Sequence, residues 1–343
     1  MKKAIRRRYS TKKNSWRTRK QKARFTPPIP AAKAGRSART DSSVPEPESM
    51  ALLLAGGHDD LNLAVLARAA QRANVDLLDL RLPATEGRAF CWNPGEGAAR
   101  FDGTELRATA GFIRHDVFGG IQDPRPEVSA RALAWYQTVM GWLLSEPGIR
   151  IFNRRMPAAA TNKPAALVLA KKAGLRIPPT TITNQPGDFR VEQLDSMIAK
   201  PVAGGDYCYS LAEALAKTDL RGGVAASPAI VQKRLVAPEV RIYVIGQSAF
   251  AFEVRSNSLD YRVNQDAELI LLPDVPQELP MLRQLMSGLR LDFGAADFKT
   301  DPDTGDLVFL ELNTSPMFAR FDHASHGRLC DAMLRELGVA AND

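Results

Sequence analysis

The stretch from Gly294 to Asp322, GAADFKTDPDTGDLVFLELNTSPMFARFD, constrains this chain more than any other. It opens as a short apolar run ending in a lone carboxylate, Asp297. Asp301, Pro302, Asp303, Thr304 and Gly305 then form a reversal, with the glycine that a tight turn requires. The chain returns as LVFLELN, apolar and β-favouring, hence a strand. Strand side chains alternate faces, so Glu311 and Asn313 point to one side, and the hairpin brings Asp297 back beside them. Two carboxylates and a carboxamide are hard oxygen donors, the set Mg²⁺ takes when it also holds substrate phosphates. The plain alternative is a hairpin with solvent-facing acids. DLVFLELN is too apolar around Glu311 for an ordinary exposed edge.

The charge balance divides the chain. Its 343 residues carry a net +8, but residues 1–40 hold 15 Lys and Arg and no acid. That leaves 31 basic against 38 acidic side chains, a net of −7, for residues 41–343. Residues 1–49, basic and then Pro/Ser/Ala-rich, have too little to bury and read as a disordered tail. The tail is an electrostatic arm for nucleic acid or another polyanion, a solvated extension, or a segment upstream of a start at Met50. Cys91, Cys208 and Cys330 form no CxxC pair, which argues against a disulfide framework or zinc site and for a reducing cytoplasm. No apolar run is long enough to span a membrane, and no apolar segment follows the basic start as in a secretory signal.

From Met50, strand ALLLAGG, helix DDLNLAVLARAAQRA capped by Asp59 or Asp60, and strand VDLLDLRLP alternate. Such a unit implies a right-handed crossover and a parallel sheet. A hairpin at 88–106, a strand GFIRHDVF and an amphipathic helix at 126–146 complete a first domain, residues 50–150. A second, residues 151–340, contains a helix from Pro164, strands PPTTITN, MIAKPVAGG and PAIVQKRLV, and a long hairpin turning at Gly246–Gln247. A helix at 276–289 follows, then the acidic hairpin and a last helix, HGRLCDAMLRELG. The fold class is therefore mixed, α/β with α+β.

Cations face the acidic hairpin. Lys163 precedes a helix, Lys200 ends an apolar strand before Ala203, Gly204 and Gly205, and Arg262 lies beyond a hairpin. Isolated lysines at strand ends are ordinarily just solvated. A lysine beside glycines, where backbone N–H groups approach without an intruding Cβ, can instead cradle polyphosphate.

Taken in order, NRRMPAAATNKPAALVLAKKAGLRIPPTTITN, IAKP, IVQKRLVAPEVRIYVIG, DYRVN and AADFKTDPDTGDLVFLELNTSP resemble the ATP-grasp superfamily. They look most like its glutathione-synthetase/RimK-type carboxylate–amine ligases, including maturases that crosslink ribosomal peptides. The resemblance spans roughly Phe152 to Leu337, with a weaker match from Met50. It implies an ATP-grasp fold behind a small parallel-sheet pre-ATP-grasp domain, with ATP and Mg²⁺ (or Mn²⁺) as cofactors. It implies Lys163 and Lys200 on the ATP phosphates under the loop 203–207 with Gly204 and Gly205. Gln232, Lys233, Arg234 and Leu235 would form the adenine hinge through backbone groups, with Glu239 toward the ribose. Arg241 and Arg262 match arginines that steady phosphates or a substrate carboxylate, and Asp297, Glu311 and Asn313 match the metal ligands. The glycine loop is shorter than usual, and Lys233 stands where many relatives carry an acid.

The chemistry so implied is acyl-phosphate formation from a carboxylate and ATP, followed by attack of an amine, with charge neutralisation and positioning as the protein's share. The acceptor is a small amino acid or a peptide. An ATP-grasp kinase, or a non-catalytic protein with an inherited nucleotide pocket, are the alternatives, and a homodimer is common among such ligases. For substrate contacts, GFIRHDVF puts Arg114, His115 and Asp116 at a strand end, where Arg114 either holds a carboxylate or belongs to a surface cluster pairing with itself. Arg320, with Phe321, Asp322, His323 and His326, follows the metal strand; for Asp322 helix capping is equally open. Arg154 faces the cleft or pairs on the surface.

Overall fold

The computed structural model describes residues 50–95, 98–203, 208–256 and 267–340. The tail 1–49, Gly204, Gly205 and Arg262 lie outside the described residues, and so do the expectations made for them.

Strand β1 (Ala51–Gly57) leads into helix α1 (Leu61–Arg72) and strand β2 (Asp76–Leu82). Of the two capping candidates it is Asp60 that caps α1, accepting from Asn62 N at 2.8 Å. Three two-residue strands follow, β3 (Phe90–Cys91), β4 (Arg100–Phe101) and β5 (Thr104–Glu105), paired antiparallel as a small meander. Then come β6 (Ala110–Ile113), α2 (Pro126–Ser145) and β7 (Arg150–Ile151). β1 pairs parallel with β2 and β6, and β6 parallel with β7, which gives the expected parallel sheet in the order β2-β1-β6-β7.

Helix α3 (Lys163–Lys172) begins at Asn162, whose side chain accepts from Ala165 N, and stops at Gly174, whose φ of +91° suits a residue without Cβ. Beyond it lie β8 (Thr180–Thr183), β9 (Met197–Pro201), β10 (Tyr209–Ser210), α4 (Leu211–Ala216), the ribbon β11 (Leu220–Arg221) and β12 (Val224–Ala225), and β13 (Ala229–Lys233). These give a four-stranded antiparallel sheet, β10-β9-β13-β8. One face packs Ala199 and Val231 against Leu211 of α4; Lys200 lies on the other.

Two residues beyond β13, β14 (Val236–Ile245) starts a second antiparallel sheet with β15 (Ser248–Arg255), β16 (Glu268–Leu271), β17 (Phe293–Thr300) and β18 (Leu307–Asn313), in the order β16-β15-β14-β17-β18. Helix α5 (Leu279–Gly288) lies before β17, and α6 (Ala319–Ala324) and α7 (Arg328–Glu336) follow β18. One face of this sheet buries Val240, Ile242, Phe298 and Phe309 against α3 and α5. The other shares a core with the parallel sheet, in which Leu52, Phe112, Tyr243, Phe252, Phe318 and Phe321 are buried together with α1 and α7. No described helix is long and apolar enough to cross a membrane.

Candidate active site

The acidic hairpin is β17 and β18, and its side chains converge because of a bulge. Asp297 pairs with Glu311, but the next rung joins Phe298 to Phe309, so Leu310 is an extra residue in β18. Strict alternation would put Phe309 and Glu311 on one face. The bulge lets Phe309 turn into the apolar core while Glu311 faces the same side as Asp297. Asn313 Nδ2 completes the set, 3.2 Å from Asp297 Oδ2 and 3.4 Å from Glu311 Oε1.

Cations reach this cluster from three elements. Arg241, opposite Asp297 in β14, donates Nε to Oδ1 at 2.5 Å and Nη2 to Oδ2 at 2.7 Å. Lys163 Nζ, at the first residue of α3, lies 3.2 Å from Glu311 Oε2. A lysine at a helix N-terminus opposes the helix dipole, a placement that makes sense where an anion is to be bound. Lys200 comes from β9 in the four-stranded sheet; burial lowers its pKa, the charge of Glu311 opposes that, and Lys163 adds to it. For Glu311, burial works to raise the pKa, but the ammonium groups of Lys163 and Lys200 outweigh it and hold the carboxyl below its usual range. Three cations thus face two carboxylates, leaving a net positive charge suited to polyphosphate. A cavity of about 260 Å³ opens beside them, lined by Thr161, Lys163, Glu311, Asn313 and Ser315.

These residues fit a magnesium nucleotide. Among the described residues no three His, Cys, Asp or Glu side chains converge, so the carboxamide of Asn313 completes the hard-oxygen set. It now donates to both acids; to ligate a cation it would turn Oδ1 toward them. A second mark is Gln232, fully buried in β13. Its Nε2 donates to Thr180 Oγ1 at 2.9 Å, and that hydroxyl donates to Pro178 O at 2.6 Å, which settles the amide orientation. Gln232 Oε1 is left buried with no donor among the described residues.

The other expected contacts are placed as follows. Glu239 pairs with Lys299 Nζ at 3.0 Å, two rungs from Arg241 and Asp297; burial raises its pKa and Lys299 counteracts this. Leu235 is buried, Arg234 N donates to Ser196 O, and the Lys233 ammonium grips Asp301 and Asp303. The three substrate arginines are occupied within the chain. Arg114 is not an exposed strand end but buried, with Nε on Asp60 at 2.8 Å and Nη1 on Ser315 Oγ and the carbonyls of Ser315 and Pro316. Arg154 caps the end of α2 by donating to the carbonyls of Leu144, Glu146 and Ile149. Arg320 Nη2 donates to Ala267 O at 2.5 Å. Asp322 takes the capping role, accepting from Cys330 N in the first turn of α7 at 2.9 Å.

Two asparagines of the site's support escaped the sequence reading. Asn62 Oδ1 accepts from Phe318 N and Ala319 N, past the end of β18. Asn153 donates from its backbone N to Asp292 Oδ1, and from Nδ2 to Phe293 O and Thr314 O, while its Oδ1 accepts from the backbone N of Asp292 and Phe293. Neither has a local sequence signal for these contacts, since Phe318 and Ala319, and Asp292, Phe293 and Thr314, are remote in the chain.

Superposition on solved structures decides the fold. The ligase PsnB, in a complex with a phosphomimetic variant of a minimal precursor, Mg and ADP, matches with a TM-score of 0.68 over 84% of this chain and 99% of that one, at 22% identity. The chain has the ATP-grasp fold. A Chryseobacterium gregarium RiPP-associated ATP-grasp ligase, in complex with ADP and a leader and core peptide, matches at 0.62 and 17% identity, over 84% of this chain and 96% of that one. The macrocyclase MdnC from Microcystis aeruginosa MRC, bound with its precursor peptide MdnA, matches at 0.62 and 17%, over 86% and 100%. No protein-family model matches the chain, and no curated protein matches it in sequence. The four- and five-stranded antiparallel sheets follow one another in the chain, joined through Arg234 and Leu235, and the parallel sheet precedes them.

Proposed function

We propose that this chain is an ATP- and magnesium-dependent ligase that activates a carboxylate as an acyl phosphate, releases ADP, and joins it to an amine of a peptide. The observation that carries the reading is the convergence of Asp297, Glu311 and Asn313 with Lys163, Arg241 and the Lys200 of the facing sheet. The fold neighbours' complexes with precursor peptides, nucleotides and Mg support a peptide substrate. The metal, held by Asp297, Glu311 and Asn313, would supply charge neutralisation on the phosphates. Lys163 and Lys200 would bind phosphate oxygens, and Arg241 holds the Asp297 carboxylate in orientation through two hydrogen bonds. The tail 1–49, the parallel-sheet domain 50–150 and the ATP-grasp domain 151–340 are the division we infer.

The test is ADP release by the full chain with Mg²⁺ and candidate precursor peptides, followed by mass spectrometry. Loss of one water from the peptide supports ligation. A stable phosphorylated peptide assigns the same site to a kinase, and Mg-nucleotide turnover undiminished in Glu311→Ala overturns the site assignment.

A further inference from the structure

Lys233 stands at the seam between the two sheets of the cleft. It is the last residue of β13, and only Arg234 and Leu235 separate it from β14. Its backbone N donates to Pro179 O, and the next amide, Arg234 N, to Ser196 O, so this end of the four-stranded sheet is pinned from within. Its side chain reaches across to the other sheet. The ammonium lies 2.7 Å from Asp301 Oδ1 and 2.6 Å from Asp303 Oδ2, in the turn that joins β17 to β18.

That turn is prepared for it. Asp301 Oδ1 also accepts from Asp303 N at 2.9 Å, and Asp301 N donates to Asp306 O, so both acids are held toward one point. Two carboxylates so close repel unless a cation lies between them. The Lys233–Asp301 arm is mostly covered, with side chains 23% and 16% exposed, whereas Asp303 is open to solvent. The same hairpin carries Asp297 and Glu311, and the same small sheet carries Lys200 and Gln232.

We propose that Lys233 is a positioning residue that latches the hinge end of the small sheet to the tip of the metal-ligand hairpin. It thereby sets the separation between Lys200 and the carboxylates across the cleft. The role in nucleotide binding rests on the reading of the cleft given above, whereas the latch itself does not. Charge and reach are what the position requires, so an arginine fulfils it and a methionine of similar length does not.

The test uses the full chain with Lys233→Met, Lys233→Arg, Asp301→Asn, and the exchanged pair Lys233→Asp with Asp301→Lys. Hydrogen exchange of residues 229–236 and 301–306 reads the latch without any assay of turnover. We expect both segments to exchange about fivefold faster in Lys233→Met and Asp301→Asn, and to return toward the parent rate in Lys233→Arg and in the exchanged pair. For Mg-ATP we expect the Lys233→Met loss to fall chiefly on KM, about fivefold, with a smaller change in kcat, and again rescue by Lys233→Arg. Exchange at the parent rate in both segments of Lys233→Met overturns the latch, as does equal loss in Lys233→Arg. If exchange responds but KM does not, the latch stands and its role at the nucleotide is overturned.

Discussion

Arg241 and Asp297 face each other across neighbouring strands and share two hydrogen bonds, Nε to Oδ1 and Nη2 to Oδ2. Both side chains are almost fully covered, and the guanidinium also lies 5.2 Å over the ring of Phe321. A two-pronged pair fixes the plane of the carboxylate, which a single ammonium cannot do. Asp297 is thereby aimed at Asn313 and Glu311 whether or not a cation is bound.

Breaking this pair should therefore cost stability as well as turnover. Arg241→Met leaves a carboxylate buried without its partner, a loss of about 3–5 kcal/mol. Chemical denaturation of the variant checks this. Arg241→Lys should recover part of the stability but little of the activity, because the plane of Asp297 is no longer set. Equal stability of Arg241→Met and the parent would show that the pair contributes nothing net.

Glu311 is the counter-charge of Lys163 and Lys200 together. Glu311→Gln keeps the shape and removes the charge, making the site more positive. Turnover should fall on the order of 100-fold, while the affinity for ATP without magnesium is kept or improved. A titration of ATP binding with and without Mg²⁺ separates these effects. A parallel loss of both affinities would mean that Glu311 serves the fold and not the metal.

Gln232 makes a distinct prediction. Its buried Oε1 has no donor among the described residues, while Nε2 is committed to Thr180. Leaving such an acceptor unpaired costs about 1–3 kcal/mol, which a ligand N–H at this place would recover. An adenine amino group is such a donor, whereas guanine presents an oxygen there. Gln232→Leu should therefore be neutral or stabilising without nucleotide, and should narrow the preference for ATP over GTP about tenfold. Thermal unfolding and competition between the two nucleotides provide the measurements.

What the sequence disclosed and what it hid follow from the range of the interactions. The alternation of β1, α1 and β2, a cap at Asp59 or Asp60, and the hairpin of Asp297 with Glu311 and Asn313 are written in neighbouring residues, and local pattern was enough to read them, although not to choose Asp60. The bulge at Leu310 was not legible, because it depends on how Phe309 packs under α3 and α5. Arg114 was misjudged for the same reason. A strand ending in RHD looks solvated until its partners, Asp60 and the loop after β18, are known.

Those partners make Arg114 the test of how the parallel sheet supports the site. Its guanidinium spans Asp60, which is fully buried at the start of α1, and the carbonyls of Ser315 and Pro316, two and three residues past Asn313. Asn62, the second residue of the same helix, accepts from the amides of Phe318 and Ala319 where the loop enters α6. Arg114→Met removes the counter-charge of Asp60 and the donors to the loop together, and should destabilise the protein by about 3–5 kcal/mol. Arg114→Lys is the sharper probe. A lysine can neutralise Asp60, but one ammonium cannot also span Ser315 and Pro316 as the planar fork does. Stability should then be largely restored in denaturant titrations while KM for Mg-ATP stays several-fold above that of the parent, since Ser315 of the released loop lines the cavity together with Asn313 at the end of β18. Restoration of both by Arg114→Lys would place the role of Arg114 wholly in neutralising Asp60, with the loop held by Asn62, Asn153 and Tyr243.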